Sequence, residues 1–314
     1  MYYIGIDLGG TNIAVGVVDK DGKLICKDST PTNAPRSAEA YVEDMVALCL
    51  KVTEAAGLTM DDITAIGLGS PGSIDNEKGV VVSSENLGLK NAEFKRLLQQ
   101  KTNKSVTIEN DANAAAYGEY VVNGDGCDSF ICITLGTGVG SGIIINKKLY
   151  TGCNFAGGEC GHITIDMNGK KCNCGQNGCW EQYASATALI NQTKEAMEKH
   201  PDSLMTQWVK ENGKVSGRTA FDCAKKGDSA AKKVVENFQN YLATGLVSVI
   251  NVFQPDKIVI GGGISGEGEN LLGPVRDMVH KRNYYKGERK STVIEIAKLG
   301  NDAGIIGAAM CAVN

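Results

Sequence analysis

The sequence predicts an α/β protein of about two domains. Three observations point there. Short apolar runs of strand type alternate with stretches of helical periodicity. The 314 residues exceed what a single core usually organises. A strand, glycine turn, strand pattern also occurs twice, with Ile4, Ile6, Leu8 and Gly9 matching Ile131, Ile133, Leu135 and Gly136. Either the chain carries an internal duplication, each half opening on such a hairpin, or two β-hairpins are alike by chance.

Taken in order, Tyr3-Ile4-Gly5-Ile6 reads as a strand, Asp7-Leu8-Gly9-Gly10-Thr11 as a glycine turn, and residues 13–18 as the returning strand. Asp21-Gly22 closes a further hairpin towards Leu24-Ile25. Residues 37–57 carry helical spacing at Tyr41, Met45, Leu48 and Val52, and residues 63–68 form a short strand that ends at Ser70-Pro71-Gly72. Residues 104–109 are another strand, with Asn110 and Asp111 at its C-terminal end and an alanine-rich helix from Ala112 to about Tyr120. The second hairpin occupies residues 130–146. A long helix over 231–251 shows apolar residues at Val234, Phe238, Leu242, Leu246 and Val249. Pro255-Asp256 interrupts it, residues 257–260 run as a buried strand into Gly261-Gly262-Gly263, and the small residues of 302–313 suit a helix.

Composition narrows the class of function. There are 39 glycines but only 6 prolines. That is neither a linker nor a collagen composition, and it suggests tight turns with backbone close to ligands. Apolar residues at 42% and charged residues at 22% exclude a disordered or fibrous chain. A net charge of −4 offers no basic footprint for nucleic acid or for a membrane surface. The first residues lack the basic and apolar regions of a signal peptide, and no run reaches the ~18 apolar residues that span a bilayer. The expected setting is cytoplasmic, where thiols stay reduced. The 11 cysteines, an odd number, then read as metal ligands or small apolar residues.

The sharpest signal is His162 followed by Cys172-x-Cys174-x4-Cys179. Three thiols and an imidazole make a closed tetrahedral set for zinc, leaving no position open, so such a zinc is structural. Ordinary reduced cysteines are the competing reading. The other eight read as packing residues, with Cys160 as one possible extra ligand. Asp7-x-Gly9-Gly10-Thr11 lies between two strands, so it is not the strand–helix dinucleotide turn. Its glycines bring backbone N–H groups to an anion and Thr11 adds a hydroxyl, although a plain glycine hairpin fits the same residues. Gly136-Thr137-Gly138-x-Gly140 and Gly261-Gly262-Gly263 add two more such loops, which together suit one nucleotide. Asp111 at a strand end is either an N-cap or a general base taking a proton from a hydroxyl that attacks phosphate. Asn110, Glu159, His162 and Glu181 suit a polyol, whose hydroxyls each give and take a hydrogen bond. Both glutamates can equally be surface charges.

These motifs, with Gly67-x-Gly69-x-Pro71-Gly72, Glu109-Asn110-Asp111-Ala112-Asn113 and Gly157-Gly158-Glu159-x-Gly161-His162, resemble the ROK family of sugar kinases and related regulators over essentially the whole chain. Within it the bacterial ATP-dependent glucokinases are the nearest likeness. The resemblance implies an actin-like ATPase fold, with two α/β domains around a cleft. The small N-terminal domain is expected over 1–118, joined by a C-terminal helix in 297–314, and the large domain with the zinc loop over 119–296. It implies phosphorylation of glucose at its 6-hydroxyl by ATP with Mg2+. Asp111 is then the base, and Gly69, Asn110, Glu159, His162 and Glu181 hold the sugar. His162 serves zinc with one ring nitrogen and the sugar with the other. Gly9, Gly10, Thr11, Thr137, Gly138 and Gly262 line the nucleotide site, while Asp7 helps place Mg2+ through water. Cys160 and Trp180 depart from the aliphatic residues more usual beside the sugar. A homodimer or homotetramer is also implied.

Three alternatives remain at this point. Another hexose (N-acetylglucosamine, N-acetylmannosamine or fructose) needs nearly the same constellation, and Asn86-Leu87-Gly88 favours glucose by its likeness to the glucokinases. A ROK-type regulator carries an N-terminal helix-turn-helix, for which the early first strand and the negative charge leave no expectation. A sugar-binding protein without catalysis does not need Asp111 together with two phosphate loops.

Overall fold

The computed structural model describes residues 1–287 and 290–313, so the last residue of the 297–314 segment lies outside the described residues. Contacts group Met1–Cys132, Gly142–Gly158 and the chain from Lys298 onward into one compact unit, and Ile133–Ser141 with Glu159–Ala297 into another.

The first unit is built on β1 (Tyr2–Leu8), β2 (Asn12–Asp19), β3 (Leu24–Pro31), β4 (Ile63–Ser70) and β8 (Ser105–Asn110), in the order β3-β2-β1-β4-β8. The hairpin strands are antiparallel, while β1, β4 and β8 run parallel. Both faces are covered, which is why β1 and β4 read as nearly continuous apolar runs. Ile4, Ile6 and Leu8 of β1 join the core that contains Tyr41, Met45 and Phe94 from α1 (Ala38–Ala55) and α2 (Phe94–Thr102). Tyr3 points the other way, into a cluster with Ile305, Ile306 and Ala309 of α10 (Ala303–Cys311). A small antiparallel sheet of β5 (Ser73–Asp75), β6 (Val80–Ser84) and β7 (Leu89–Ala92) follows β4 in the chain.

Small residues let α10 come within backbone contact of the sheet and of α3 (Asp111–Asn123). A β-carbon on Gly67 would overlap the Ala308 carbonyl, and one on Gly118 would lie 2.7 Å from the Ala303 carbonyl oxygen. Glu119, almost fully buried, accepts the N–H groups of Lys298 at 3.0 Å and Leu299 at 2.7 Å and so fixes the approach to α10. Because the obstacle at Gly67 is backbone, no rotamer change relieves it. Gly67→Ala should cost about 3 kcal/mol or more, read as a fall in the thermal midpoint; an unchanged midpoint would show that α10 is free to move off the sheet.

A second five-stranded sheet contains β9 (Ser129–Leu135), β10 (Val139–Ile145), β11 (Lys148–Leu149), β12 (Lys257–Gly261) and β13 (Val293–Ile296), in the order β11-β10-β9-β12-β13. Position for position this is the strand order of the first sheet, and β12 and β13 are again parallel. Even the burial along β9 repeats that along β1. Common strand order is what duplication requires and chance hairpins do not supply. The second unit adds α4 (Glu181–Ala184), α5 (Ala186–Lys199), α6 (Leu204–Asn212), α7 (Thr219–Lys225), α8 (Ser229–Phe253) and α9 (Glu269–Arg282). Val234, Phe238, Leu242, Leu246 and Val249 form the buried stripe of α8, the spacing read from the sequence. No helix among the described residues is long and apolar enough to cross a membrane.

Candidate functional site

In the first unit, strand register assembles one row of polar groups. Asp7 pairs with Gly69 across β1 and β4, and Gly69 with Glu109 across β4 and β8. The row lies at the carboxyl end of parallel strands, where open α/β sheets bind their ligands. Asn110 caps α3: its Oδ1 accepts from Ala112 N at 2.9 Å and Asn113 N at 3.2 Å, and its Nδ2 donates to Gly72 O at 3.3 Å. Asp111 is therefore the first helical residue and not the cap. One of its oxygens accepts the Ala112 N–H at 2.9 Å. Burial raises its pKa, and hydrogen bonding opposes that rise only in part. A carboxylate made more basic in this way is better suited to accept a proton.

Asp7 is pushed up to about 6, first by burial and then by the negative charge of Asp111. Gly304 on α10 provides the room, because a β-carbon there would lie 2.7 Å from Asp7 Cγ. The raised value fixes a sign. Between about pH 4 and 6 the folded chain holds a proton that the unfolded chain has lost, so stability falls as pH rises through that window. Above it the ionised Asp7 costs up to about 3 kcal/mol. Asp7→Asn should therefore melt higher than the parent at pH 7, with the gap closing near pH 4; a gap independent of pH would remove the assignment.

Gly9, Gly10 and Thr11 form a turn held from behind. Thr32 Oγ1 donates to Gly9 O at 2.7 Å, and Thr32 N donates to Thr11 O at 2.8 Å. Gly10 and Thr11 are exposed, so their amides and the Thr11 hydroxyl are open to an anion.

In the second unit, Leu135 leads into the Gly136–Gly138 turn. Glu181 at the start of α4 packs on Gly138, accepting Val139 N at 3.1 Å with Oε2. Two groups not singled out from the sequence hold the same turn from α5: Ala186 N donates to Gly136 O at 2.9 Å and Thr187 Oγ1 to Thr137 O at 2.8 Å. Gly262 has a φ of +84° at the end of β12, and a β-carbon there would fall 2.7 Å from Leu135 N, so the third glycine loop lies against the second. Beside it is a cavity of about 290 Å3 bordered by Arg218, Asp222, Lys225 and Gly263. Glu159 and His162 share one tight turn, with His162 N donating to Glu159 O at 3.1 Å.

The ligand atoms of His162, Cys172, Cys174 and Cys179 all lie within 4.8 Å of one another. Cys174 and Cys179 sulfurs are 3.5 Å apart, and Cys172 Sγ is 3.7 Å from His162 Nδ1. Tetrahedral zinc with Zn–S near 2.3 Å spaces its sulfurs by roughly 3.8 Å, so the donor set and its spacing fit that metal. Nδ1 is the nitrogen facing the thiols, which leaves Nε2 on the opposite side of the ring.

The remaining cysteines divide differently from the sequence reading. Cys160 is buried outside the cluster, its N–H on Ser141 Oγ at 3.0 Å. Cys153 is exposed in the loop after β11 and so is not a packing residue. Trp180 is fully buried and turned to α8, donating from Nε1 to Tyr241 O at 2.9 Å. A further polar knot was not singled out. Glu109, 6% exposed, accepts Asn110 N at 2.8 Å, Asn113 Nδ2 at 3.0 Å and Asn76 Nδ2. It ties the start of α3 to the β5–β6 turn. A glutamate inside an otherwise apolar strand was the available signal.

Comparison with known proteins gives a consistent picture. The ROK family model matches residues 3–314. A glucokinase of Thermotoga maritima is 37% identical over 309 residues, covering 98% of this chain and 95% of the relative. A xylose repressor of Caldicellulosiruptor bescii is 30% identical over 305 residues, covering 97% of this chain and 76% of the repressor. Among solved structures, a ROK family glucokinase from Streptomyces griseus in complex with glucose and AMPPNP superposes with a TM-score of 0.82 at 35% identity, covering 99% of each chain.

Proposed function

Because this chain belongs to the ROK family, we propose that it transfers the γ-phosphoryl group of ATP to the 6-hydroxyl of glucose, as the glucokinases it resembles are named for doing. Its fold is the actin-like ATPase fold, with two α/β units of common strand order. The observation that carries the catalytic reading is Asp111: Asn110 does the capping, so a half-buried carboxylate of raised basicity stands at a strand end, held by the Ala112 N–H but not spent on the cap.

In this reading Asp111 accepts the proton as the sugar hydroxyl attacks phosphorus, and the phosphoryl group moves in line from ADP. Gly69, Asn110, Glu159, His162 and Glu181 bind the sugar. Asn110 brings its side-chain amide nitrogen, which also reaches Gly72 O, since its oxygen serves α3. His162 brings Nε2, oriented by the thiol cluster on Nδ1. Gly9, Gly10, Thr11, Thr137, Gly138 and Gly262 receive the phosphates, and the cavity beside Gly263 suits the base. Asp7 would help place Mg2+ through water, a cation that keeps much of its hydration and would neutralise phosphate charge when bound. His162, Cys172, Cys174 and Cys179 hold a structural zinc. A cytoplasmic location follows from the use of ATP. A homodimer or homotetramer without nucleic-acid or membrane partners completes the proposal.

The sugar is tested by a coupled ADP assay across glucose, N-acetylglucosamine, N-acetylmannosamine and fructose. Glucose should give the highest kcat/KM by about tenfold or more. A preference for an acetamido sugar would move the assignment to another hexose kinase, and no sugar-dependent ADP would leave a binding protein or regulator.

A further inference from the structure

The second unit contains a cavity of about 260 Å3 on the face of α4 and α5 that meets α8, lined by none of the proposed sugar, nucleotide or metal residues. Its charge is one-sided. Lys170, Lys199, Lys233 and His200 border it, against a single carboxylate, Glu195. Glu195 is taken by Lys170 at 3.2 Å, Lys233 has only a loose approach to Glu236 at 3.9 Å, and Lys199 has no ion-pair partner among the described residues. Ala230 adds the first turn of α8, whose N-terminal amides are already taken by the Asp228 cap, which accepts Ala231 N at 2.7 Å, so the positive charge here is that of the lysines. The floor is different in kind. Tyr183 and Tyr241 pack ring to ring at 4.8 Å beside the buried Val234, and the amides of Gln192 and Asn237 stand next to them. Gln192 spends its Nε2 on Tyr183 O at 2.9 Å, leaving its carbonyl oxygen as an acceptor.

Lysines at the rim suit a phosphate as point charges, and a tyrosine floor with amide groups suits a polyol ring. The volume holds one such ring with its phosphate. We propose that this cavity is a second ligand site, specific for a sugar phosphate monoester, and that its occupancy is felt in the metal loop. The wiring is short. Lys170 lies in the loop between His162 and Cys172; its N–H donates to Tyr183 Oη at 2.7 Å, and its carbonyl accepts Gly178 N at 2.7 Å, next to Cys179. Tyr183 in turn is in α4, which starts at Glu181. A phosphate that draws on Lys170 therefore pulls on the loop carrying three cysteines and on the helix that sets Glu181.

The choice of ester rests on the kinase reading, whose product belongs to this class; binding itself does not require turnover. The probe is glucose 6-phosphate, titrated calorimetrically into the protein with glucose and a non-hydrolysable ATP analogue saturating. One additional site per chain is expected, weakened about tenfold or more in Lys199→Glu/Lys233→Glu, whose kcat and KM for glucose without added ester stay at the parent values. Absence of that site, or equal binding by the double variant, overturns the proposal. Inorganic phosphate binding as tightly as the ester overturns the sugar specificity. The titration reads occupancy alone, so its failure and a failure of the kinase assay are separately visible.

Discussion

Asp111→Asn lowers kcat for glucose phosphorylation by about 10³-fold, close to 4 kcal/mol of barrier, while the protein melts no lower than the parent. The two halves of this result have one cause. Asparagine keeps the oxygen that accepts Ala112 N, so the first turn of α3 survives. It loses the negative charge that burial already disfavours in the parent. In the proposed mechanism the charge is a cost to the fold and a requirement of the reaction, so removing it separates stability from rate. A binding residue alone would raise KM and spare kcat. Residual kcat within a factor of ten of the parent would assign the base elsewhere.

Loss of the proposed zinc should produce the second large effect. Cys174 is the informative ligand because it is exposed and contributes little packing of its own. Cys174→Ser should reduce bound zinc from about one per chain to a small fraction, lower stability by about 3 kcal/mol or more, and raise KM for glucose about tenfold. The effect on glucose follows from position. His162 shares the cluster through Nδ1, and Glu181 follows Cys179 by two residues. Unchanged zinc content and melting would reduce the four residues to ordinary thiols and an imidazole.

What could be read from the sequence was whatever depends on local spacing. The glycine hairpins, the 25-residue α8 with its apolar stripe, and the His162, Cys172, Cys174, Cys179 set all carry their signal within a short window. The small sheet β5-β6-β7 was not legible, because its strands are three to five residues long with mixed exposure and no clean alternation. Asp111 shows the limit well. The sequence leaves cap and base open; the structure gives the cap to Asn110, whose side chain takes both first-turn amides, and the base role is a proposal. The Asp7 shift comes first from burial under α10 and then from a carboxylate more than a hundred residues away, brought near by the parallel pairing of β1, β4 and β8, and neither is visible in a short window. Cys153 went astray for a related reason: type and neighbours in sequence say little about which way a side chain faces.

The most direct test of the account is the identity of the product. Incubation with ATP and glucose, followed by phosphorus and proton nuclear magnetic resonance of the sugar fraction, should show phosphate on the 6-hydroxyl in amount equal to the ADP formed, with the signal absent for Asp111→Asn. Phosphate on another hydroxyl, ADP released without sugar phosphate, or an equal yield from the variant would contradict it.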